Sequence, residues 1–154
     1  MEIQKAEIQD LDYIINSIYN ILVYEKTLNK KILPEAVVNE EFKNSVKNNI
    51  ENKSYFIRVL KENGENAWLI YWKLVKNSKA WDYNLYSNLD YLFIWEKFRK
   101  KWYAEKLISE FISWAKEKWS DRMTLKWMIW NEKAYNLYQK MWFKESLFFM
   151  GKDL

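Results

Sequence analysis

One segment of this chain combines an apolar strand, a basic turn and an amphipathic helix. Residues 88–94 are nearly all apolar, which predicts a strand that is buried on both faces. From about residue 102 to residue 118, apolar side chains recur at spacings of three and four, with charged side chains opposite them. A further strand is predicted over 122–129. Because a helix crosses between the two strands, they should pair in parallel, which predicts an α/β fold.

The remaining sequence predicts further strands and helices around this segment. They are a strand over 1–6, a helix over 11–24, a helix from Pro34 to about 46, strands over 54–60 and 67–75, a helix over 131–141 and a strand over 143–154. Asn63 and Gly64 indicate that the two middle strands form a hairpin. The predicted order is β α α β β β α β α β, a mixed twisted sheet flanked by helices on both faces. Since no linker or repeat divides the chain, one domain over 1–154 is expected.

The composition excludes several kinds of site. The chain has no Cys and no His, which excludes disulfides, thiol nucleophiles, His-based triads and metal sites built on thiolate or imidazole. The longest apolar run, 91–95, is far shorter than the roughly 20 residues of a membrane span. No secretory signal is visible, so a cytoplasmic protein is expected. The net charge of +4 is spread along the chain, so nucleic acid is an unlikely partner.

The basic turn before the helix has the chemistry of a phosphate-binding site. The start of a helix presents unpaired backbone N–H groups and a partial positive charge, and Lys100 and Lys101 add charge beside them. The segment resembles the acyl-CoA-binding loop of the GNAT superfamily of N-acetyltransferases, which reads Arg/Gln-x-x-Gly-x-Gly/Ala. Arg99 and Ala104 match its ends, and Trp102 stands at its first glycine. The alternative interpretation of this segment, without the family, is a basic turn that is exposed to solvent before an amphipathic helix.

A second motif follows in the order that the same family has. The family pattern Asn-x-x-Ala-x-x-x-Tyr-x-x-x-Gly-Phe, with Trp in place of its glycine, is matched by Asn131, Ala134, Tyr138, Trp142 and Phe143. Two motifs in this order and spacing are much more specific than either alone, and they lie in the C-terminal half of the chain. From the residues alone, Asn131 is also a preferred helix N-cap, and Tyr138 lies on the apolar stripe of its helix.

The resemblance implies an enzyme that transfers an acetyl group from acetyl-CoA to a primary amine of a small molecule or protein by direct attack, without a metal. It implies that Tyr138 protonates the departing CoA thiolate. Asp90 appears in an apolar strand where some polyamine-type members carry a carboxylate base, and an exposed strand end beside Asn88 is the alternative. The residues expected to bind acetyl-CoA are Leu92, Phe93, Ile94, Arg99, Lys100, Lys101, Trp102, Tyr103, Ala104, Asn131 and Tyr138, with backbone N–H groups near the first three facing the thioester oxygen.

The resemblance does not identify the amine acceptor. The first two helices and the hairpin would select it, and they carry no signature residues. Four acidic side chains there could attract a cationic polyamine or aminoglycoside, or could simply meet solvent: Glu25, Glu35, Glu40 and Glu41. A homodimer is compatible with the sequence. The alternative function is a non-catalytic acyl-CoA-binding or protein-interaction module on the same fold.

Glycine is scarce in this chain and tryptophan is abundant. There are 2 Gly and 10 Trp, although glycine alone usually makes up about 7% of a protein. Six tryptophans stand where glycine suits the family motif or the local structure: Trp68, Trp72, Trp102, Trp119, Trp130 and Trp142. Trp114, in contrast, fits an ordinary helix position. Because some bacteria read UGA as glycine and a common alternative code assigns it to tryptophan, the pattern predicts UGA codons at these six positions. The alternative is a deliberate or natural tryptophan-rich variant, which should bind CoA poorly.

Overall fold

The computed structural model describes residues 2–62, 65–77, 82–95 and 103–146. In chain order the strands and α-helices are β1 (Glu2–Lys5), α1 (Leu11–Leu28), α2 (Glu40–Glu51), β2 (Tyr55–Glu62), β3 (Glu65–Lys76), β4 (Leu85–Ile94), α3 (Tyr103–Glu117), β5 (Arg122–Leu125) and α4 (Glu132–Lys140). Short 3₁₀ helices, Ile8–Asp10 and Pro34–Val37, lie before α1 and α2. None of the helices within these ranges has both the length and the apolar character to cross a membrane.

The five strands form one mixed sheet in the order β1-β2-β3-β4-β5. The first three neighbouring pairs are antiparallel, whereas β4 and β5 are parallel. Helix α3 connects β4 to β5 along the chain. The parallel pair with its helical crossover is therefore confirmed, and so is the α/β fold.

Side chains that alternate along the central strands divide the core between the two faces of the sheet. From β3, Leu69 and Tyr71 pack with α1 and α2 on what we call the α1–α2 face. Trp68, Ile70 and Trp72 pack with α3 on the opposite side, where α4 also contributes, and we call this the α3–α4 face. The prediction of helices on both faces of the sheet is confirmed.

The helices of the two faces bury stripes with the predicted spacing. Helix α1 buries Ile14, Ile15 and Ile18 on its sheet side. In α3 the buried side chains are Ala104, Leu107, Ile108, Phe111 and Ala115. A fully buried aliphatic side chain stabilises the fold by roughly 1.5–3 kcal/mol relative to an exposed one, so these stripes fix both helices against the sheet.

The helix predicted from Pro34 to about residue 46 is wrong in its extent. The chain forms a 3₁₀ turn at Pro34–Val37 and begins a separate helix at Glu40. The reason is a second N-cap: the Asn39 side chain accepts a hydrogen bond of 2.8 Å from the backbone N–H of Phe42. Two acidic residues in the first turn, Glu40 and Glu41, favour the same start.

The predicted strands of the C-terminal part also differ from the structure. Strand β5 ends at Leu125 rather than at 129. Residues 143–146 are not in a strand, and the rest of the strand predicted over 143–154 lies outside the described residues. The Asn63-Gly64 turn of the hairpin lies outside them as well, although its flanking strands pair as predicted.

Helices α3 and α4 end in the same hydrogen-bonded motif. After α3, the N–H of Trp119 donates to the carbonyl of Lys116 at 3.0 Å, and the N–H of Ser120 donates to that of Ala115 at 2.9 Å. This pair of bonds defines a Schellman motif, whose C′ residue takes the left-handed conformation. Trp119 accordingly has a φ of 57°.

The end of α4 repeats this arrangement. Trp142 donates to the carbonyl of Gln139 at 3.0 Å, and Phe143 donates to that of Tyr138 at 3.1 Å. Trp142 is the C′ residue here and has a φ of 65°. Trp119 and Trp142 are the non-glycine residues with positive φ in the described part of the chain.

Candidate functional site

Strands β4 and β5 diverge in the middle of β4. Within the described residues, β5 pairs only with residues 86–89 of β4, whereas β3 accompanies β4 as far as Ile94. Residues 90–93 therefore have a strand neighbour on one edge and none from β5 on the other. An open strand edge of this kind presents backbone N–H and C=O groups that an extended ligand can pair with.

The residues predicted to bind the acyl arm lie at this divergence but on different faces. Leu92 and Ile94 pack against the α3–α4 face, and Phe93, 8% exposed, belongs to the core of the α1–α2 face. The backbone N–H and C=O groups of β4 point sideways in the plane of the sheet, whereas these side chains point to its two faces. The strand edge therefore offers backbone contacts to a ligand, and its side chains mainly fix the strand.

The first turn of α3 lies after the predicted phosphate-binding loop. Arg99, Lys100, Lys101 and Trp102 fall outside the described residues. Helix α3 begins at Tyr103, whose ring contacts Trp68 edge-on at 5.3 Å between centroids, and Ala104 is buried in the α3–α4 core. The start of a helix carries a partial positive charge and backbone N–H groups of the kind that bind anions, so this turn of α3 suits a phosphate.

Helix α4 carries the residues of the second motif. Asn131 caps the helix, since its side chain accepts a hydrogen bond of 3.2 Å from the N–H of Ala134. Tyr138 packs against the α3–α4 core and meets Phe143 edge-on with 6.0 Å between ring centroids. Burial first, and the negative charge of Glu25 second, raise the pKa of Tyr138 to about 12. Tyr138 is therefore protonated at neutral pH, as a proton donor must be.

Asp90 occupies an irregular position within β4. Tyr71 of β3 is opposite Tyr91, and Trp72 is opposite Leu89, so Asp90 is the extra residue of a β-bulge. The alternative that Asp90 marks an exposed strand end is wrong, because β4 continues to Ile94 and the Asp90 side chain is 18% exposed.

Two polar partners hold the Asp90 carboxylate. Its Oδ2 lies 3.0 Å from the Nζ of Lys73, and its Oδ1 accepts a hydrogen bond of 2.7 Å from Asn88. Asn88 in turn accepts a hydrogen bond of 2.9 Å from the Thr124 hydroxyl of β5. This network ties the bulge to both neighbouring strands at the point where β4 and β5 diverge.

Glu25 is a candidate that the sequence alone did not single out from the other acidic residues. It follows Ile14 and Ile18 on the sheet-facing stripe of α1 at helical spacing, and it is half-buried. Burial raises the pKa of Glu25. Its charge is a smaller cause, after burial, of the raised pKa of Tyr138, and it contributes to that of Tyr91 after burial and the charge of Asp90. The described residues supply no hydrogen bond or ion pair to the Glu25 carboxylate. The sequence signal that could have identified Glu25 is its position, as an acidic residue, on the apolar face of the predicted helix α1.

The candidate residues thus fall into two groups, one on each face of the sheet. Leu92, Ile94, Tyr103, Ala104 and Tyr138 converge on the α3–α4 side. On the α1–α2 side, Asp90 is paired with Lys73, which follows Tyr71 on β3 at a spacing of two. The charge of Glu25 acts on Tyr138 by raising its pKa, although burial is the larger cause.

No protein-family model and no curated protein sequence matches the chain. Solved structures match it over nearly its whole length. A point mutant of the BH1408 protein of Bacillus halodurans has a TM-score of 0.88 at 16% identity, covering 100% of this chain and 99% of the other. A GCN5-related N-acetyltransferase of Ralstonia eutropha JMP134 has a TM-score of 0.79 at 16% identity, covering 99% and 97%.

A predicted acetyltransferase of Clostridium acetobutylicum, solved with acetyl-CoA, has a TM-score of 0.80 at 13% identity, covering 99% of this chain and 95% of the other. At such identities the similarity is one of fold. The chain has the fold of the GCN5-related N-acetyltransferases, as its two motifs predicted.

Proposed function

We propose that this protein transfers the acetyl group of acetyl-CoA to a primary amine. The observation that carries the proposal is the divergence of β4 from β5. Leu92 of the diverging strand packs against the same α3–α4 core as Tyr103 and Tyr138. The fold is shared with a protein that was solved with acetyl-CoA, which supports the same co-substrate. No step of the proposed reaction needs a metal, a thiol or an imidazole.

Acetyl-CoA would be bound by backbone groups for most of its length. The amide groups of its pantetheine arm can pair with the open edge of β4, in the manner of an added strand. Its pyrophosphate would meet the N–H groups that begin α3, together with Arg99, Lys100 and Lys101 before them. Trp102, Tyr103 and Ala104 would then form the first turn around the phosphates, and the Asn131 cap would fix the start of α4.

The chemistry follows from this placement. The neutral amine nitrogen attacks the thioester carbonyl carbon, and the resulting oxyanion is stabilised by backbone N–H groups near Leu92 and Phe93. As the carbon–sulfur bond breaks, the electron pair goes to sulfur, and Tyr138 gives its proton to the thiolate. The products are the amide and free CoA, and the proton lost by the amine restores Tyr138 through solvent.

The amine must lose a proton before it attacks, because an alkylamine with a pKa of roughly 10 is mostly protonated at neutral pH. Asp90 is one carboxylate that can take this proton, directly or through water. Its contacts with Lys73 and Asn88 compete with the amine for its oxygens. Glu25 has no such partner in the described part of the chain and acts on Tyr138, so we assign it the binding of the cationic acceptor.

The second candidate function is a non-catalytic acyl-CoA-binding or protein-interaction module. The observation that favours it is the engagement of Asp90 by Lys73 and Asn88, which suits a structural role for the carboxylate. Such a module would bind acetyl-CoA through the same backbone groups and would release no CoA in the presence of amines.

The test combines calorimetric titration of acetyl-CoA with a thiol-release assay over a panel of amines. It uses the chain as it stands and a second form with Trp102 and Trp142 replaced by glycine. We expect binding and turnover in the glycine form, and Tyr138→Phe should lower kcat by about 100-fold because the general acid is lost. Tyr135→Phe is the matched control, since Tyr135 lies on the same helix and its hydroxyl bonds to the exposed Glu145.

Three outcomes separate the candidate functions. Turnover that depends on Tyr138 but not on Tyr135 supports the enzyme. Binding without turnover over the whole panel supports the non-catalytic module. If neither form binds acetyl-CoA, the proposed function is wrong, and the similarity to acetyltransferases is limited to the fold.

A further inference from the structure

The two Schellman motifs place tryptophan in the backbone conformation that most favours glycine. In the left-handed region the β-carbon of an L-residue approaches the following carbonyl oxygen, a clash that glycine avoids. Trp119 and Trp142 have φ values of 57° and 65°. The carbonyls that each motif satisfies belong to the last turn of α3 or α4, so the conformation is imposed by the helix end and not by the side chain.

Nothing in the packing of these two side chains compensates for the backbone conformation. Trp119 is 86% exposed and Trp142 is 88% exposed. An indole that lies in solvent gains almost no hydrophobic burial. Tryptophan at these two helix ends therefore has an unfavourable backbone conformation and gains no burial that would offset it.

Two further tryptophans are unfavourable for the opposite reason. Trp68 and Trp72 are fully buried in β3, and the indole N–H of each has no hydrogen-bond partner. A buried donor without a partner is destabilising. The rings of Trp72 and Phe111 also stack at 3.5 Å between centroids, closer than the ~4.5–7 Å usual for aromatic pairs. Position 72 is therefore crowded by its indole as well.

Trp114 shows what an ordinary tryptophan looks like in this fold. It lies inside α3 and packs against Phe56 at 5.3 Å and Phe111 at 5.7 Å between ring centroids. Its indole is not among the buried groups that lack a hydrogen-bond partner. The strain is therefore specific to certain tryptophans and is not a property of all the tryptophans on the α3–α4 face.

We infer that the polypeptide made by the source organism carries glycine at positions 68, 72, 119 and 142, encoded by UGA. The two helix ends and the two buried positions support this by independent physical arguments. Both sets belong to the six positions at which the family motif or the local sequence suits glycine. The inference requires a tRNA whose anticodon, UCA, pairs with UGA and which is charged with glycine. Positions 102 and 130 follow if their codons are the same. The inference does not depend on acetyl transfer.

The first test reads the gene and the native protein. The codons for positions 68, 72, 119 and 142 are sequenced, and tryptic peptides of the protein isolated from its source are identified by mass spectrometry. We expect UGA at each position and glycine in each peptide. UGG codons at 119 and 142, or tryptophan in those native peptides, would overturn the inference.

The second test measures thermal unfolding of the chain with tryptophan and of single variants. Trp119→Gly and Trp142→Gly should each raise Tm by about 2–4 °C, because the left-handed residue is relieved. Trp119→Ala and Trp142→Ala remove the indole but keep the β-carbon, so they should give little of this rise. Trp114→Gly should lower Tm, since it removes packing and places glycine inside a helix. Equal effects of alanine and glycine at 119 and 142 would contradict the backbone argument.

Discussion

The two faces of the sheet differ in how clearly the sequence reveals what they do. On the α3–α4 face, Tyr103, Ala104 and Tyr138 belong to two motifs that match a known family pattern. On the α1–α2 face, Glu25 and the pair of Asp90 with Lys73 belong to no motif. Under the proposed function this difference has a chemical origin. Coenzyme A is the same in every such enzyme and demands the same contacts, whereas an acceptor differs from one enzyme to the next.

Tyrosines provide a direct comparison of burial on the two faces. Tyr13 packs against the α1–α2 core and Tyr138 against the α3–α4 core. Burial is the main cause that raises the pKa of each from 10.0 to about 12. The stabilisation is fully present below pH 10 and is lost as pH rises from 10 through 12, because the unfolded chain releases protons that the folded chain retains.

The largest effect on stability that we expect is therefore a loss of unfolding free energy in alkali, to which Tyr13, Tyr138 and other tyrosines whose pKa is raised by burial contribute together. Urea unfolding at pH 8 and pH 11 should show a fall in unfolding free energy to which each tyrosine contributes about 1 kcal/mol. Tyr13→Phe and Tyr138→Phe should each reduce this fall, and Tyr24→Phe, at an exposed position, should not. If only one of the two substitutions reduces the fall, the two tyrosines are not equally shielded from solvent, and burial differs between the two faces of the sheet.

The second prediction concerns the acceptor side alone. Glu25→Gln should raise KM for a polyamine by about tenfold, which corresponds to the loss of one charge–charge contact in a partly buried site. KM for acetyl-CoA should stay the same, because the co-substrate is assigned to the other side of β4. The measurement is steady-state kinetics with both substrates varied, in the form with glycine at 102 and 142.

Glu41→Gln is the matched control for Glu25, since Glu41 is exposed on α2. A change in KM for acetyl-CoA that equals the change for the amine would contradict the division of the site into two sides. A fall in kcat with a flattened pH profile would instead assign the proton transfer itself to Glu25.

The sequence predicted the elements that depend on local patterns. The alternation in β1, the Asn63-Gly64 turn signal between β2 and β3, the apolar run of β4 and the stripe of α3 are local patterns that identify these elements without tertiary information. Asn39 was missed as a helix start because the preceding Pro34 already suggested one. Strand β5 was extended too far because its end is fixed by divergence from β4, which is a property of the sheet.

The site was predictable only where chemistry fixes residue types. Asn131 and Tyr138 stood out because a motif required them at that spacing. Glu25 did not stand out in the sequence. Its role depends on which face of α1 packs against the sheet and on its proximity to Tyr138, which is 113 residues further along the chain. The bulge that turns Asp90 toward Lys73 is likewise a result of strand register, which the sequence of β4 does not reveal.

The smallest effect that we predict decides whether Asp90 is structural or catalytic. A double-mutant cycle of Asp90→Asn and Lys73→Met, measured by urea unfolding, should give a coupling of about 1 kcal/mol, because the pair is only partly shielded from solvent. If Asp90 serves the fold alone, Asp90→Asn should lower stability while leaving kcat and its pH dependence unchanged. If it also accepts the amine proton, kcat should fall at neutral pH and recover as the amine deprotonates in alkali. A coupling near zero together with full activity would show that Asp90 neither stabilises the fold through Lys73 nor accepts the amine proton. Glu25 would then be the remaining candidate carboxylate for the acceptor amine.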